Sequence, residues 1–298
     1  MMRALGCLTV AATAALVAGC AASSGGGGGG TSPGISPGGQ RRRHVVTSAV
    51  VHAATMHTHT AGKLTVGTDS PAYEPWFVDN NPSNGKGFES AVAYAVAKQL
   101  GYAQDQVTWV TAPFNSVIAP TPKNFDFDIN EVSITAKRAQ AVDFSSGYYD
   151  VAQAVVALKS NKYATASSIA DLHGAKLGAQ VGTTSFDAIN NVIKPGTTPL
   201  EYPTNNLAVQ ALKNGQIDGL VVDLPTGLYI TAAQVAGSKI VGQLKVTGQP
   251  EQFGLVLDHG SSLTQCVTQA VDALRANGTL AKLQQKWLTT SAGAPELK

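Results

Sequence analysis

The sequence predicts an α/β protein of two lobes joined by two crossing segments. Strand-like and helix-like segments alternate from Lys63 onward, and a second series of them starts at Ala175. Continuous apolar runs, QAVVAL (153–158) and QFGLVL (252–257), stand at the changeovers between the series. Alternation of this kind favours parallel sheets with helices on their faces.

Each element has a local reason. KLTVGT (63–68) reads as a strand. GFESAVAYAVAKQLG (87–101) reads as an amphipathic helix, with Phe88, Val92, Ala95 and Val96 on one face and Gly101 as its stop. QVTWV (106–110) is the next strand, and FDFDINEVSI (125–134) leads to a helix expected from Thr135. In the second series AKLGAQV, PLEY, IDGLVV and KIVGQLKV read as strands. SFDAINNVI, NNLAVQALKNG and PTGLYITAAQVA read as the helices between them. The chain closes on helical SSLTQCVTQAVDALRANG and TLAKLQQKWL. The expected division is a first lobe of residues 63–152 and 251–298, with 153–250 as the second lobe.

The residues ahead of Lys63 read differently. Residues 1–20 carry Arg3 and then an apolar stretch too short to remain across a bilayer. The stretch ends in LVAGC, which resembles a bacterial lipoprotein signal with Cys20 as the lipidated residue. The alternative is an ordinary secretory signal with an incidental cysteine. Residues 21–62 are a flexible linker, rich in Gly, Ser and Pro. Arg41–Arg43 within it either touch anionic headgroups or form a solvated charge run. His44, His52, His57 and His59 stand there without other ligand types, so no metal is expected. With Cys7 in the signal and Cys20 lipidated, Cys266 is expected as a small core residue without a disulfide partner.

The 298 residues carry a formal net charge of +2, and 13% of them are charged. That balance, with no basic stripe, excludes an electrostatic nucleic-acid binder. In open parallel sheets, ligands bind beyond the carboxyl ends of the strands. Asp69, Tyr73 and Trp76 follow the first strand, Phe114 the next, and Thr135 and Arg138 follow INEVSI. In the second series GTTS (182–185) and Asp223 hold the matching places. An arginine near a helix N-terminus makes an anion site, and GTTS offers further donors from the other lobe. Asp223 supplies the opposite charge, so the set fits a zwitterion. Each item also has a plainer reading: Arg138 as a surface cation, Asp223 as a helix cap, GTTS as an ordinary turn and the aromatics as core.

Taken in order, KLTVGTD, GKGFESAVAYAVAKQLG, SITAKRAQAVDFSSGYY, GAQVGTTS, IDGLVVD and LRANGTLAKLQQKWL resemble family 3 extracellular solute-binding proteins. The resemblance implies a type II periplasmic-binding-protein fold, two α/β lobes that close on a ligand. It implies that Arg138 holds an amino acid's α-carboxylate, helped by Ser133, Thr183 and Thr184, and that Asp223 holds the α-ammonium. Tyr73 and Phe114 would wall the side chain, and Asp69 would stand at the start of the cleft. Glu131 and Gln180 depart from the glutamine-binding pattern. On an extended strand Glu131 would face the same way as Ser133, which points to a basic or strongly polar amino acid. The implied partners are a free amino acid, an ABC permease and its ATPase, with a monomer tethered by lipid to the outer face of the cell membrane. No cofactor, catalysis or nucleic acid is expected. The rival readings are a cyclohexadienyl-dehydratase-like enzyme and an amino-acid-sensing accessory protein.

Overall fold

The computed structural model describes residues 56–246, 248–288 and 294–298. Cys20, the signal and most of the linker lie outside the described residues.

The first sheet contains β1 (Leu64–Thr68), β2 (Val107–Thr111), β3 (Phe127–Asp128), β4 (Asp143–Val151) and β10 (Glu251–Leu257). Its spatial order is β2-β1-β3-β10-β4. The second sheet contains β5 (Gln153–Leu158), β6 (Leu177–Gln180), β7 (Leu200–Tyr202), β8 (Gly219–Asp223), β9 (Ser238–Leu244) and β11 (Glu296–Leu297). Its order is β11-β9-β5-β8-β6-β7. The chain crosses between the sheets at Ala152 and again between β9 and β10.

The sheets are mixed rather than parallel. β1 runs parallel to β2 and β3, and β6 parallel to β7 and β8. The strands beside the crossings run antiparallel: β10 against β3 and β4, and β5 against β8 and β9. A strand entered directly from the other lobe has no helical crossover to reverse it, so it pairs head to tail. The two-residue β11 adds to the second sheet beside β9, and the Lys298 N–H donates to Ser167 O at 3.1 Å. The last residues therefore pack with the second sheet, not with the first lobe where 251–298 had been expected.

α1 (Phe88–Gln99) buries Phe88, Val92 and Val96 as its spacing predicts, with Ala93 and Ala97 on the buried face instead of Ala95. Gly87 precedes it at φ +94°, and a Cβ there would stand 2.3 Å from Trp76 O, so only glycine fits. Trp76 anchors the first-lobe core, its ring centroid 5.5 Å from Tyr149, 5.6 Å from Phe253 and 6.0 Å from Phe88. Each such ring, fully buried, contributes roughly 1.5–3 kcal/mol of transfer free energy. α2 (Phe114–Val117) is a single turn. On the second lobe α3 (Thr184–Ala188) and α5 (Leu224–Tyr229) each run on into a π turn, and α4 (Asn205–Lys213) packs Ala208 and Leu212 inward.

The helix expected from Thr135 is only a 3-10 turn, Arg138–Gln140. β4 begins at Asp143, which leaves no length for more. Thr135 still acts as a cap, its hydroxyl accepting from the Arg138 N–H at 3.1 Å. Cys266 is buried in α6 (Thr264–Ala276), which α7 (Thr279–Leu288) follows. It is disulfide-bonded, a correction to the expected unpaired residue. Among the described residues no helix is long and apolar enough to cross a membrane.

Candidate functional site

The strand ends of both lobes converge on a cavity of about 80 Å³. Asp69, Tyr73, Phe114, Glu131, Gln180, Thr183 and Asp223 line it, all expected from the sequence. Ser185 of the GTTS turn lines it as well, and Asn130, Asn205, Val221, Val222 and Thr226 also line it and were not expected. Ser133, Arg138 and Thr184 are not on its wall. They form a hydrogen-bonded group that reaches Asp223 through Gln153.

Arg138 is buried and spans the lobes. One terminal guanidinium nitrogen donates to Ser133 O at 2.7 Å and the other to Gly182 O at 2.9 Å. Its guanidinium carbon stands 5.3 Å from the Phe114 ring centroid, a cation–π contact. It is not the solvated surface cation of the plainer reading. Burial lowers the pKa of the group, while Glu251 and then Asp223 oppose that effect.

Asp223 stands at the N-cap of α5 yet makes no side-chain capping bond. Its carboxylate instead accepts from Gln153 Nε2 at 2.7 Å. Burial, followed by the charges of Glu251 and Glu131, raises its pKa well above the usual carboxylate range. Thr183 is the residue that caps. Its hydroxyl accepts from Phe186 N–H at 3.2 Å and donates to Gln180 O at 2.7 Å. The Thr183 hydroxyl is therefore committed to α3 and not presented as a free donor.

Glu131 reaches the cavity by a route the sequence did not suggest. Its φ is +53°, the left-handed region, so the extended-strand argument tying it to the direction of Ser133 fails. Its N–H donates to Glu89 Oε1 at 2.7 Å, which fixes the turn. Its carboxyl accepts from Thr226 Oγ1 at 2.7 Å, and Thr226 accepts from the Trp76 indole N–H at 2.9 Å. Trp76–Thr226–Glu131 is thus a hydrogen-bonded bridge from the first lobe to the second and back.

Acids gather on the first-lobe side. Glu131 is raised by burial and then by the charge of Glu89, and Glu89 is raised by burial. Tyr148 OH donates to Glu89 Oε1. Behind them Asp128, fully buried, is raised well above the usual range by burial and by Glu89 and Asp69. Asp69 is raised by burial, although Ser70 N–H donates to it at 2.7 Å and Phe114 N–H at 3.5 Å. The Tyr73 hydroxyl is pushed up to about 12 by burial and then by Asp69 and Glu131. A site built this way is short of positive charge, and a cationic group is its electrostatic complement.

Comparison with known proteins agrees with this architecture. Residues 64–290 match the model of bacterial extracellular solute-binding proteins, family 3. The chain belongs to that family. It is 28% identical over 251 residues to ABC transporter arginine-binding protein 1 of Escherichia coli (strain K12), covering 82% of this chain and 98% of that protein. It is 29% identical over 241 residues to a probable histidine-binding protein of Campylobacter jejuni, covering 78% of this chain and 88% of that protein. Among solved structures, an ancestral arginine-binding protein bound to arginine superposes with a TM-score of 0.64 at 33% identity. That match covers 76% of this chain and 98% of the other. An ancestral amino-acid-binding protein described as a precursor of cyclohexadienyl dehydratase gives a TM-score of 0.62 at 30% identity, covering 76% and 95%.

Like the family members it resembles in fold, this solute-binding protein has a two-lobed type II fold, with its cavity between the lobes. Sequence reading missed Gln153 and Glu251, which link Ser133 and Thr184 to Asp223. The signal was available, since each is the polar residue that opens an apolar crossing strand. Thr226 and Asn130 gave none, because a threonine after a helix-start proline and an asparagine at a strand end are commonplace.

Proposed function

We propose that this solute-binding protein is an exported receptor for a free basic amino acid. In this reading Asp223 takes the α-ammonium, and Arg138 with Ser133 and Thr184 takes the α-carboxylate. Glu131 and Asp69 face the side-chain cation, and Phe114 and Tyr73 flank its apolar stem. The observation that carries the reading is the excess of carboxyls on the cavity wall, Asp69, Glu131 and Asp223, beside the lobe-spanning Arg138. A zwitterion balances Arg138 and Asp223, and a further carboxyl is best matched by a cation. The arginine and histidine named in two relatives point the same way.

Because the ligand would contact both lobes, it binds the closed arrangement better and shifts the population toward it. The closed receptor would then deliver its cargo to an ABC permease powered by an ATPase. A thermal-shift panel of the twenty amino acids on the purified chain tests the reading. Arginine, lysine or histidine should give the largest stabilisation, and a preference for glutamate or aspartate would sink it.

A second reading is favoured by one observation. Glu131 holds a proton to unusually high pH in a cleft, as a general acid would. Turnover of prephenate or arogenate would support an enzyme; saturable binding without turnover supports the receptor.

A further inference from the structure

Glu251 opens β10 at the second crossing, and its carboxylate already occupies donors that the proposed ligand carboxylate requires. Ser133 Oγ donates to Glu251 Oε1. Gln153 Nε2 is 3.3 Å from Oε1 and 3.2 Å from Oε2, and Thr184 Oγ1 is 3.3 Å from the same Ser133 hydroxyl. Among the charges acting on Arg138, Glu251 is the strongest attraction, ahead of Asp223. Two carboxylates cannot share one small set of donors without strong repulsion.

A second cavity of about 300 Å³ adjoins this group. Gln153, Thr184 and Glu251 stand in its wall, and so does Lys245 from the other side of the same crossing. The Glu251 side chain thus has both space and a cation, the exposed Lys245, lining the same open pocket.

We propose that Glu251 is a tethered carboxylate, a specificity-determining residue that holds the α-carboxylate donors and releases them by swinging into the second cavity toward Lys245. Amino-acid binding is then an exchange of one carboxylate for another. The internal carboxylate offsets part of the affinity an α-carboxylate would otherwise add, so the cleft tolerates cationic ligands that lack one. This inference rests on the reading of the cleft as an amino-acid site.

The test compares L-arginine with agmatine, the same molecule without its carboxylate, by calorimetric titration of the full chain. In the unaltered protein the ratio of their Kd values should stay within about tenfold. In Glu251→Gln it should widen at least about tenfold further, because arginine tightens and agmatine does not; each factor of ten corresponds to about 1.4 kcal/mol. Glu251→Asp, which withdraws the carboxylate by one methylene and keeps its charge, should move the ratio in the same direction. A purely structural role for Glu251 would change both ligands alike. An unchanged ratio in both variants overturns the proposal, even if arginine binds well.

If no amino acid binds the unaltered chain, the receptor reading fails by itself. The role of Glu251 is then read without an amino acid, from the melting temperature in sodium acetate against sodium chloride at equal ionic strength. Acetate should stabilise Glu251→Ala and leave the unaltered chain unmoved. Equal responses, or none in either, overturn the proposal.

Discussion

The two lobes differ in how the polar atoms at and behind the cleft are partnered. On the second-lobe side Thr183, Ser185 and Asp223 are all hydrogen-bonded, to Gln180, Gln153 and Gln153 respectively. On the first-lobe side both oxygens of Asp128, Oε2 of Glu89, Oγ1 of Thr68 and Nδ2 of Asn130 are buried with no partner among the described residues. Buried polar groups are normally satisfied, and an unpartnered carboxyl keeps its proton. These second-lobe side chains are thus tied to one another and to the crossing strand through Gln153. The first lobe carries the unpartnered polar atoms, and under the proposed function it is the side that would meet the ligand's side chain.

The sharpest way to break this contrast is to remove the residue that ties the two lobes together. Arg138→Ala should cost at least about 3 kcal/mol of amino-acid binding, over a hundredfold in Kd by calorimetry, because a desolvated carboxylate loses a charged donor. Near-normal affinity would mean that the guanidinium only ties Ser133 to Gly182. Next in size, Thr226→Val leaves the Trp76 indole N–H and the Glu131 carboxyl without their shared hydroxyl. That should lower unfolding stability by about 1–3 kcal/mol in urea titration; no loss would show the bridge to be incidental.

Glu131→Gln keeps the shape of the wall and removes its titratable charge. It should narrow the preference for a cationic over a neutral amino acid by roughly tenfold, about 1.4 kcal/mol, while leaving binding of a neutral amino acid nearly unchanged. Equal losses for both would assign Glu131 to structure alone.

The smallest effect is a pH dependence that belongs to the first-lobe wall. Glu131 is raised from 4.5 to about 8, so between these values the folded protein holds protons that the unfolded chain has released. Its stabilising contribution is full below pH 4.5 and is lost as pH rises toward about 8. Thermal stability without ligand should therefore fall across that window, and Glu131→Gln should flatten the fall. A bound cation favours the ionised form, so affinity for a basic amino acid should rise over the same range with proton release. A flat profile for both quantities would show that Glu131 does not change charge there.

Much of the fold was legible because its signals are local. Strand–helix alternation, the Phe88–Val92–Val96 face and the Gly101 stop all depend on spacing alone. Most candidate residues on the cavity wall were legible for the same reason, since they stand at or just after a strand end. What failed depends on three-dimensional context. The helix expected at Thr135 had no room before β4, and the left-handed turn at Glu131 is held by the Glu89 carboxyl, distant in sequence. Antiparallel pairing at the crossings, and the return of Glu296–Leu297 to the second sheet, follow from where the other lobe ends. Gln153 and Glu251 were hidden because their contacts join residues far apart in sequence that only folding brings together.

The charge of the preferred ligand decides between the two walls' assigned roles. Paired calorimetric titrations of the full chain with L-arginine and L-glutamate at neutral pH measure it directly. Saturable one-to-one binding of arginine, with glutamate at least about a hundredfold weaker, is the expected result. Tighter binding of glutamate would contradict the acid-walled cleft as a receptor for cations.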